Sequence, residues 1–102
     1  MPKLYEYFGL IVFFYSNEYE PIYVHGKYQD RESKAEIIIV DGVIQGIQIS
    51  RVQGRRPLEG NPLNDFEALV RHFADDIVKK WVDYFVYHKH VSPEKIQRKI
   101  SV

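Results

Sequence analysis

The chain contains no cysteine, which excludes disulfide bonds, thiolate metal sites and cysteine nucleophiles. A cysteine-free chain also fits a reducing compartment, where disulfides are rare. Neither charge sign is in excess, because fourteen basic residues balance fourteen acidic ones. The net charge therefore provides no long-range field that would attract nucleic acid or an anionic membrane.

Long hydrophobic runs are also missing. The apolar run at residues 8–15 has about eight residues, whereas a transmembrane helix needs roughly twenty. This run lacks the basic leader and the small-residue cleavage site of a signal peptide. We therefore predict a soluble, cytoplasmic protein with no membrane partner.

The common catalytic and nucleotide-binding motifs are absent as well. The sequence has no Gly-x-Gly-x-x-Gly, no P-loop, no recognisable nucleophile elbow and no His-Glu-x-x-His. No cofactor is therefore predicted. Whether the protein is an enzyme stays open, and a non-enzymatic role is favoured.

What the chain does have is a composition suited to a folded core. Its 102 residues are 45% apolar and 15% aromatic, which predicts one globular domain over residues 1–102. The domain divides into a β half at residues 4–50, a loop at 51–63 and a helical half at 64–100.

The β half is rich in aromatic and β-branched residues, and we expect a small antiparallel meander of about four strands. Asp41-Gly42 is the strongest turn signal, because a type I′ hairpin needs positive φ at both central positions. Gly46 is a plausible position for a β-bulge. The expected strands cover residues 4–16, 22–28, 35–40 and 43–50.

The helical half begins with a capping-box pattern, Asn64 followed three residues later by Glu67. Apolar pairs then recur every four residues, which predicts one long helix over about residues 64–88. A repeat of four drifts around a helix of 3.6 residues per turn. The helix is therefore expected to cross the sheet obliquely, to bend near Asp75-Asp76, or to give one end to a partner.

The predicted fold class is thus α+β, a small antiparallel sheet packed against a long C-terminal helix. Trp81 is expected in the core, with its indole N–H bonded to a carbonyl or water. Ser92 and Pro93 are typical of the start of a short final helix.

His25 is the first polar candidate. Residues two apart on a strand share a face, so Tyr23, His25 and Lys27 point the same way. Two histidines at this spacing could start a metal site, but tyrosine is a poor zinc ligand and one histidine cannot build a site alone. We predict no metal, and a strand histidine hydrogen-bonded to a neighbour. His25 and Tyr23 remain weak candidates for acid–base catalysis.

A set of residues around His25 and along the chain follows the order of a known family pattern: Gly9, Tyr15, Glu18, Pro21, His25, Tyr28, Ala35 and Trp81. With these residues the sequence resembles the bacterial family called domain of unknown function 4160. The resemblance spans roughly residues 4–88, and Tyr19 and Tyr23 stand where the family has its first two histidines. It implies that a second small protein is encoded beside this one, in a toxin–antitoxin-like pair.

The other titratable residues favour ordinary surface roles. On one straight helix His72 and His88 would lie about 160° apart, so they could not share an ion. His88 and His90 follow the C-terminal end of the helix, where a positive charge interacts favourably with the helix dipole. Asp75 and Asp76 diverge by about 100°, and with Glu67 they read as exposed acids of an amphipathic helix.

The arginines of the 51–63 loop are the best candidates for phosphate or nucleic-acid binding. Arg51, Arg55 and Arg56 could grip phosphate through their guanidinium groups. The alternative to phosphate binding is that the loop and the C-terminal tail are simply exposed to solvent and bind no ligand. Basic residues of the tail could extend the loop into a strip: Lys89, Lys95, Arg98 and Lys99.

Two functions from different classes follow. The leading hypothesis is a protein-interaction module of a two-protein pair, whose partner is a neighbour-encoded small protein or a second copy of the chain. The alternative is a small nucleic-acid-binding protein or a metal-independent ribonuclease. Histidine and arginine would supply its general base and phosphate clamp, with the working groups Arg55, Arg56, His25 and Tyr23.

Overall fold

The computed structural model describes residues 2–100. It confirms the α+β class, with a mixed sheet of six strands and two helices. The elements in chain order are β1 Lys3–Tyr7, β2 Leu10–Phe13, β3 Tyr23–Tyr28, β4 Arg31–Val40, β5 Val43–Arg51, α1 Gly60–His72, α2 Ala74–Phe85 and β6 Glu94–Ile96.

The strand order across the sheet is β5-β4-β3-β2-β1-β6. The first five strands form an antiparallel meander, and β6 pairs in parallel with β1. Asp41 and Gly42 have φ values of 52° and 77°, so the predicted hairpin between β4 and β5 is confirmed. The ladder shifts register between Ile38 and Ile39, next to Gly46.

The predicted count of four strands is wrong because residues 4–16 form two strands. The chain reverses at Phe8 and Gly9, which have φ values of 49° and 88°. Positive φ at both positions is the conformation of a two-residue hairpin turn. Phenylalanine rarely adopts it, so the apolar run conceals the turn.

The sixth strand corrects the expectation of a short final helix. Glu94–Ile96 pairs with the outer edge of β1, where Tyr5, Glu6 and Tyr7 offer unpaired backbone groups. The Ile100 amide also donates to the Tyr7 hydroxyl at 2.9 Å. These tertiary hydrogen bonds override the local helix signal at Ser92 and Pro93.

The single long helix is likewise wrong, because the chain breaks at Phe73. This residue ends α1 and precedes α2 with φ −105° and ψ 18°, and its ring stacks on Tyr5 at 4.8 Å. Because of the break, each helix can turn its own apolar side chains towards the sheet. The apolar positions therefore do not rotate away from the sheet, as they would along one continuous helix with a four-residue repeat. Helix α1 begins at Gly60 with Glu59 at the N-cap position, and Asn64 lies inside it. No described helix is long and apolar enough to cross a membrane.

The core lies between the helices and one side of the sheet, which we call the helix side. It includes Leu10, Val12, Val24, Ala35 and Ile37 from the strands. The helices contribute Phe66, Leu69, Val70, Ile77 and Trp81.

A polar network ties β1 and β6 to α2. The Tyr5 hydroxyl donates to Asp76, and Lys80 Nζ lies 3.2 Å from Asp76 and 2.8 Å from Glu94. Burial, then the bond to Asp76, raises the pKa of Tyr5 well above its usual range. Burial alone would raise the pKa of Asp76, but the hydrogen bonds from Tyr5 and Lys80 outweigh it and lower that pKa.

At Gly26 the sheet approaches helix α1 closely. A Cβ at this position would lie 2.5 Å from Phe66 Cδ1. We expect Gly26→Ala to lower the free energy of unfolding by about 1–3 kcal/mol, measured by urea denaturation, because a buried aromatic ring must move. Gly46→Ala is the matched control, since nothing lies within 4 Å of its Cβ position. Equal losses in the two variants would contradict this packing.

Candidate functional site

His25 lies on the side of the sheet opposite the helices, where it pairs in register with Phe13 of β2 and Lys34 of β4. That side is locally covered, and His25 and Glu32 are each only 1% exposed. The cover comes from two loops. The loop after β2 supplies Tyr15 and Glu18, and the loop after β5 supplies Arg55. We call His25, Glu18, Glu32, Tyr15 and Arg55 the His25 cluster.

Three hydrogen bonds and one ion pair join the members of the His25 cluster. His25 Nδ1 lies 3.0 Å from Glu32 Oε2, and His25 Nε2 lies 2.7 Å from Glu18 Oε1. The Tyr15 hydroxyl donates to Glu32 Oε2 at 2.9 Å. Arg55 Nε lies 3.8 Å from Glu32 Oε1. Phe13 stacks on the imidazole at 5.6 Å between centroids, so the ring is fixed in position as well as hydrogen-bonded.

Charged and polar groups are paired within the His25 cluster. Each ring nitrogen of His25 lies within hydrogen-bond distance of one glutamate, and Arg55 lies beside Glu32. Burial raises the pKa of Tyr15, and Glu32 and Glu18 raise this pKa further, whereas the charge of Arg55 lowers it. Tyr15 is therefore a neutral donor to Glu32. The cluster is a satisfied buried polar network, of the kind that fixes one arrangement of its loops.

This arrangement does not suit a metal ion. The two glutamates bind opposite nitrogens of one ring, so they cannot join that ring around a single cation. No group of three or more histidine, aspartate or glutamate side chains in residues 2–100 is placed to hold a metal. Tyr19 and Tyr23 lie outside the cluster: Tyr19 packs on Trp81 at 5.3 Å, and the Tyr23 ring lies 4.5 Å from Lys34 Nζ.

The candidate arginines do not converge on an open phosphate site. Arg55 faces Glu32, and Arg56 forms an ion pair with Asp30. Arg51 is exposed at the end of β5. Lys95 lies on β6, at the opposite edge of the sheet, so the loop and the tail do not form one basic strip.

The remaining histidines and acids occupy other places. His72 is exposed at the end of α1, and His88 and His90 are exposed beyond α2. His88 and His90 line a cavity of about 490 Å³ with Ser16, Tyr84, Phe85 and Lys89. Asp75 is exposed, whereas Asp76 belongs to the network with Tyr5.

A second candidate site lies beside β4, where this strand runs past the start of β3 and approaches Trp81 of α2. Tyr23, the first residue of β3, pairs with Glu36, and β4 continues to Val40. The gap is a groove of about 400 Å³ that we call the Trp81 groove. Its apolar lining consists of Pro21, Ile22, Ile37, Ile38, Ile39 and Trp81, and its acidic residues are Glu20 and Glu36.

Large apolar side chains are exposed around this groove. Tyr19 is 51% exposed and Ile39 is 37% exposed. Trp81 itself is 5% exposed, and its buried Nε1 donates to no protein atom of residues 2–100. Sequence patterns do not predict the groove, because its walls come from three segments that are distant along the chain.

The two candidate sites share one loop. Glu18, which bonds His25, is followed by Tyr19, Glu20 and Pro21 at the Trp81 groove. The His25 cluster therefore anchors one wall of the groove. His25 contributes to this anchor through its contact with Glu18.

A family model described as "Domain of unknown function (DUF4160)" matches residues 9–82. The match covers the His25 cluster and the residues that line the Trp81 groove. No curated protein and no solved structure matches the chain.

Proposed function

The chain belongs to the DUF4160 family, and from that premise we propose that it is a protein-interaction module. Its partner is a small protein encoded beside it, in a toxin–antitoxin-like regulatory pair that works in the cytoplasm. The family description assigns no activity, so the proposal is carried by one observation, the open Trp81 groove.

The lining of the groove defines the chemistry of the partner. Apolar side chains from the strands surround Trp81, and Glu20 and Glu36 add negative charge. Tyr19 and Ile39 extend the apolar surface beyond the groove. Aromatic residues at the centre of a desolvated patch dominate many interfaces. The segment that fits is a large apolar side chain flanked by lysine or arginine.

The geometry of His25 supports an interaction role over hydrolysis. A general base must come within hydrogen-bond reach of the proton it removes. His25 is 1% exposed, and both of its nitrogens face glutamates. The ribonuclease alternative therefore has no comparable support, although its arginines provide a direct test.

The experiment is a calorimetric titration of this chain with the small protein encoded next to it. Ile39→Glu is expected to weaken binding about tenfold or more, because it adds a third acid to the groove. Val43→Glu is the matched control, since Val43 is 58% exposed, lies outside the groove and receives the same charge. Absence of binding by the unmodified chain, or equal weakening by both variants, would overturn the proposal.

The alternative is tested in parallel by retention on single-stranded RNA at low salt. If Arg55→Ala/Arg56→Ala abolishes retention while Ile39→Glu leaves it intact, nucleic acid becomes the favoured ligand. The interaction proposal expects weak retention that the double substitution does not change.

A further inference from the structure

Strand β5 forms one edge of the sheet, and the ladder with β4 shows which of its backbone groups face outward. The Ile37 amide of β4 donates to the Ile22 carbonyl, on the β3 side, at 2.9 Å. Successive residues of a strand direct their hydrogen-bonding groups to alternate sides. The backbone N–H and C=O groups of the even-numbered residues of β4 therefore point towards β5.

The register between the two strands shows which residues of β5 bond to β4. They are the partners of Lys34, Glu36 and Ile38, namely Ser50, Gln48 and Gly46. The N–H and C=O groups that point away from the sheet therefore belong to Ile47, Ile49 and Arg51. No turn or loop of residues 2–100 hydrogen-bonds to these backbone groups.

Beyond the bulge at Gln45, this edge lacks the other features that usually prevent strand pairing. Residues 45–51 contain no proline and no lysine, and their only charge is Arg51 at the end. The side chains of Ile47 and Ile49 are half-buried and share the helix side with Ile37 and Ala35. By contrast, the other edge of the sheet is occupied by β6.

We propose that β5 pairs with β5 of a second copy of this chain, antiparallel and about a two-fold axis. The register sets Ile47 of each copy opposite Ile49 of the other, and Gln48 opposite Gln48. Arg51 then faces Gln45. This surface is separate from the Trp81 groove, and the inference does not depend on the proposed function.

A second copy suits this edge because the strand is self-complementary. A two-fold interface uses the same patch twice, so each residue must accept its counterpart. Here the isoleucines meet isoleucines, the Gln48 amides can hydrogen-bond to each other, and the two Arg51 side chains lie at opposite ends. The net charge of zero adds no long-range repulsion between copies.

The test uses the absence of cysteine in the chain. In the proposed register Gln48 and its counterpart form a non-hydrogen-bonded pair, with Cα atoms about 4.5 Å apart. Gln48→Cys is expected to form a disulfide-linked dimer on mild oxidation. Ser50→Cys is the matched control on the same face, because its counterpart lies roughly 13 Å away along the strands. Cross-linking of Ser50→Cys as fast as Gln48→Cys, or of neither, would overturn the proposal.

Light scattering across a concentration series gives the second measurement. The mass is expected to rise from 12.1 kDa towards twice that value. Ile49→Lys should weaken self-association at least tenfold, whereas Val43→Lys, outside the paired segment, should change it less than twofold. Circular dichroism checks that both variants fold. A chain that stays monomeric at every concentration, or a dimer that Ile49→Lys does not weaken, refutes the inference.

Discussion

Glu32→Ala is expected to lower the free energy of unfolding by about 3–5 kcal/mol, because it removes one member of a buried ionic network. Glu32 is 1% exposed and accepts hydrogen bonds from His25 and Tyr15. Without it, both donors remain in the protein interior with no acceptor at that position. Chemical denaturation monitored by fluorescence measures the loss.

Glu36→Ala is the control for this substitution. Glu36 lies on the same strand and the same side of the sheet, but it is only partly buried. Its substitution is expected to cost less than about 1 kcal/mol, as at most surface positions. Similar losses for the two glutamates would show that Glu32 stabilises the strand through propensity or packing alone.

A double-mutant cycle separates the network from the individual side chains. Glu32→Leu removes the partner of His25 Nδ1 and of Tyr15, and His25→Leu removes a partner of Glu32 and of Glu18. The double variant removes both ends of the His25–Glu32 bond, so that only the bonds of Tyr15 and Glu18 are lost one-sidedly. The double loss is therefore expected to fall below the sum of the single losses by about 1–3 kcal/mol. Additive losses would mean that His25 and Glu32 are energetically independent despite their 3.0 Å separation.

Trp81→Ala is expected to cost about 3–5 kcal/mol of unfolding free energy, since it removes a large buried side chain and leaves a cavity. Trp81 is 5% exposed and packs against Tyr19 and Phe85 with centroid separations of 5.3 and 5.1 Å. Its loss weakens the contact between α2, the sheet and the loop that carries Glu18. Urea denaturation followed by circular dichroism is suitable, because the variant lacks the only tryptophan.

Tyr87→Ala provides the comparison for Trp81→Ala. Tyr87 is 62% exposed, so its removal is expected to change the stability by no more than about 0.5 kcal/mol. A loss below 1 kcal/mol for Trp81→Ala would show that α2 is not seated on the sheet through this side chain.

Local signals predicted those parts of the fold that local chemistry determines. Asp41-Gly42 specified its hairpin because few other residues accept positive φ at both turn positions. Phe8 adopts the same conformation, and its turn was missed because phenylalanine is not a turn residue. The break at Phe73 lies two residues before Asp75-Asp76, where a bend was one of the three expected alternatives. Its position was not predicted, because it depends on stacking against Tyr5, which is distant in sequence.

The candidate site was predicted only in part. His25 was expected on a strand with a hydrogen-bonding neighbour, and its position on β3 confirms the strand. Glu32 fell between the expected strands at residues 22–28 and 35–40, outside both. Instead, β4 begins at Arg31 and turns Glu32 towards His25. The identity of a buried partner depends on the register between strands, and this register is not visible in either strand alone.

The pairing of β1 with β6 has a consequence for synthesis of the chain. Tyr5 to Tyr7 emerge early, but their parallel partners are residues 94–96, translated about ninety residues later. Until those residues leave the ribosome, the outer edge of β1 stays uncovered, and the hydroxyl of Tyr7 lacks its bond to Ile100. A nascent chain stalled before residue 94 therefore exposes the five-residue edge of β1 in place of the three-residue strand β6, and we expect a chaperone to bind it more readily than the released protein.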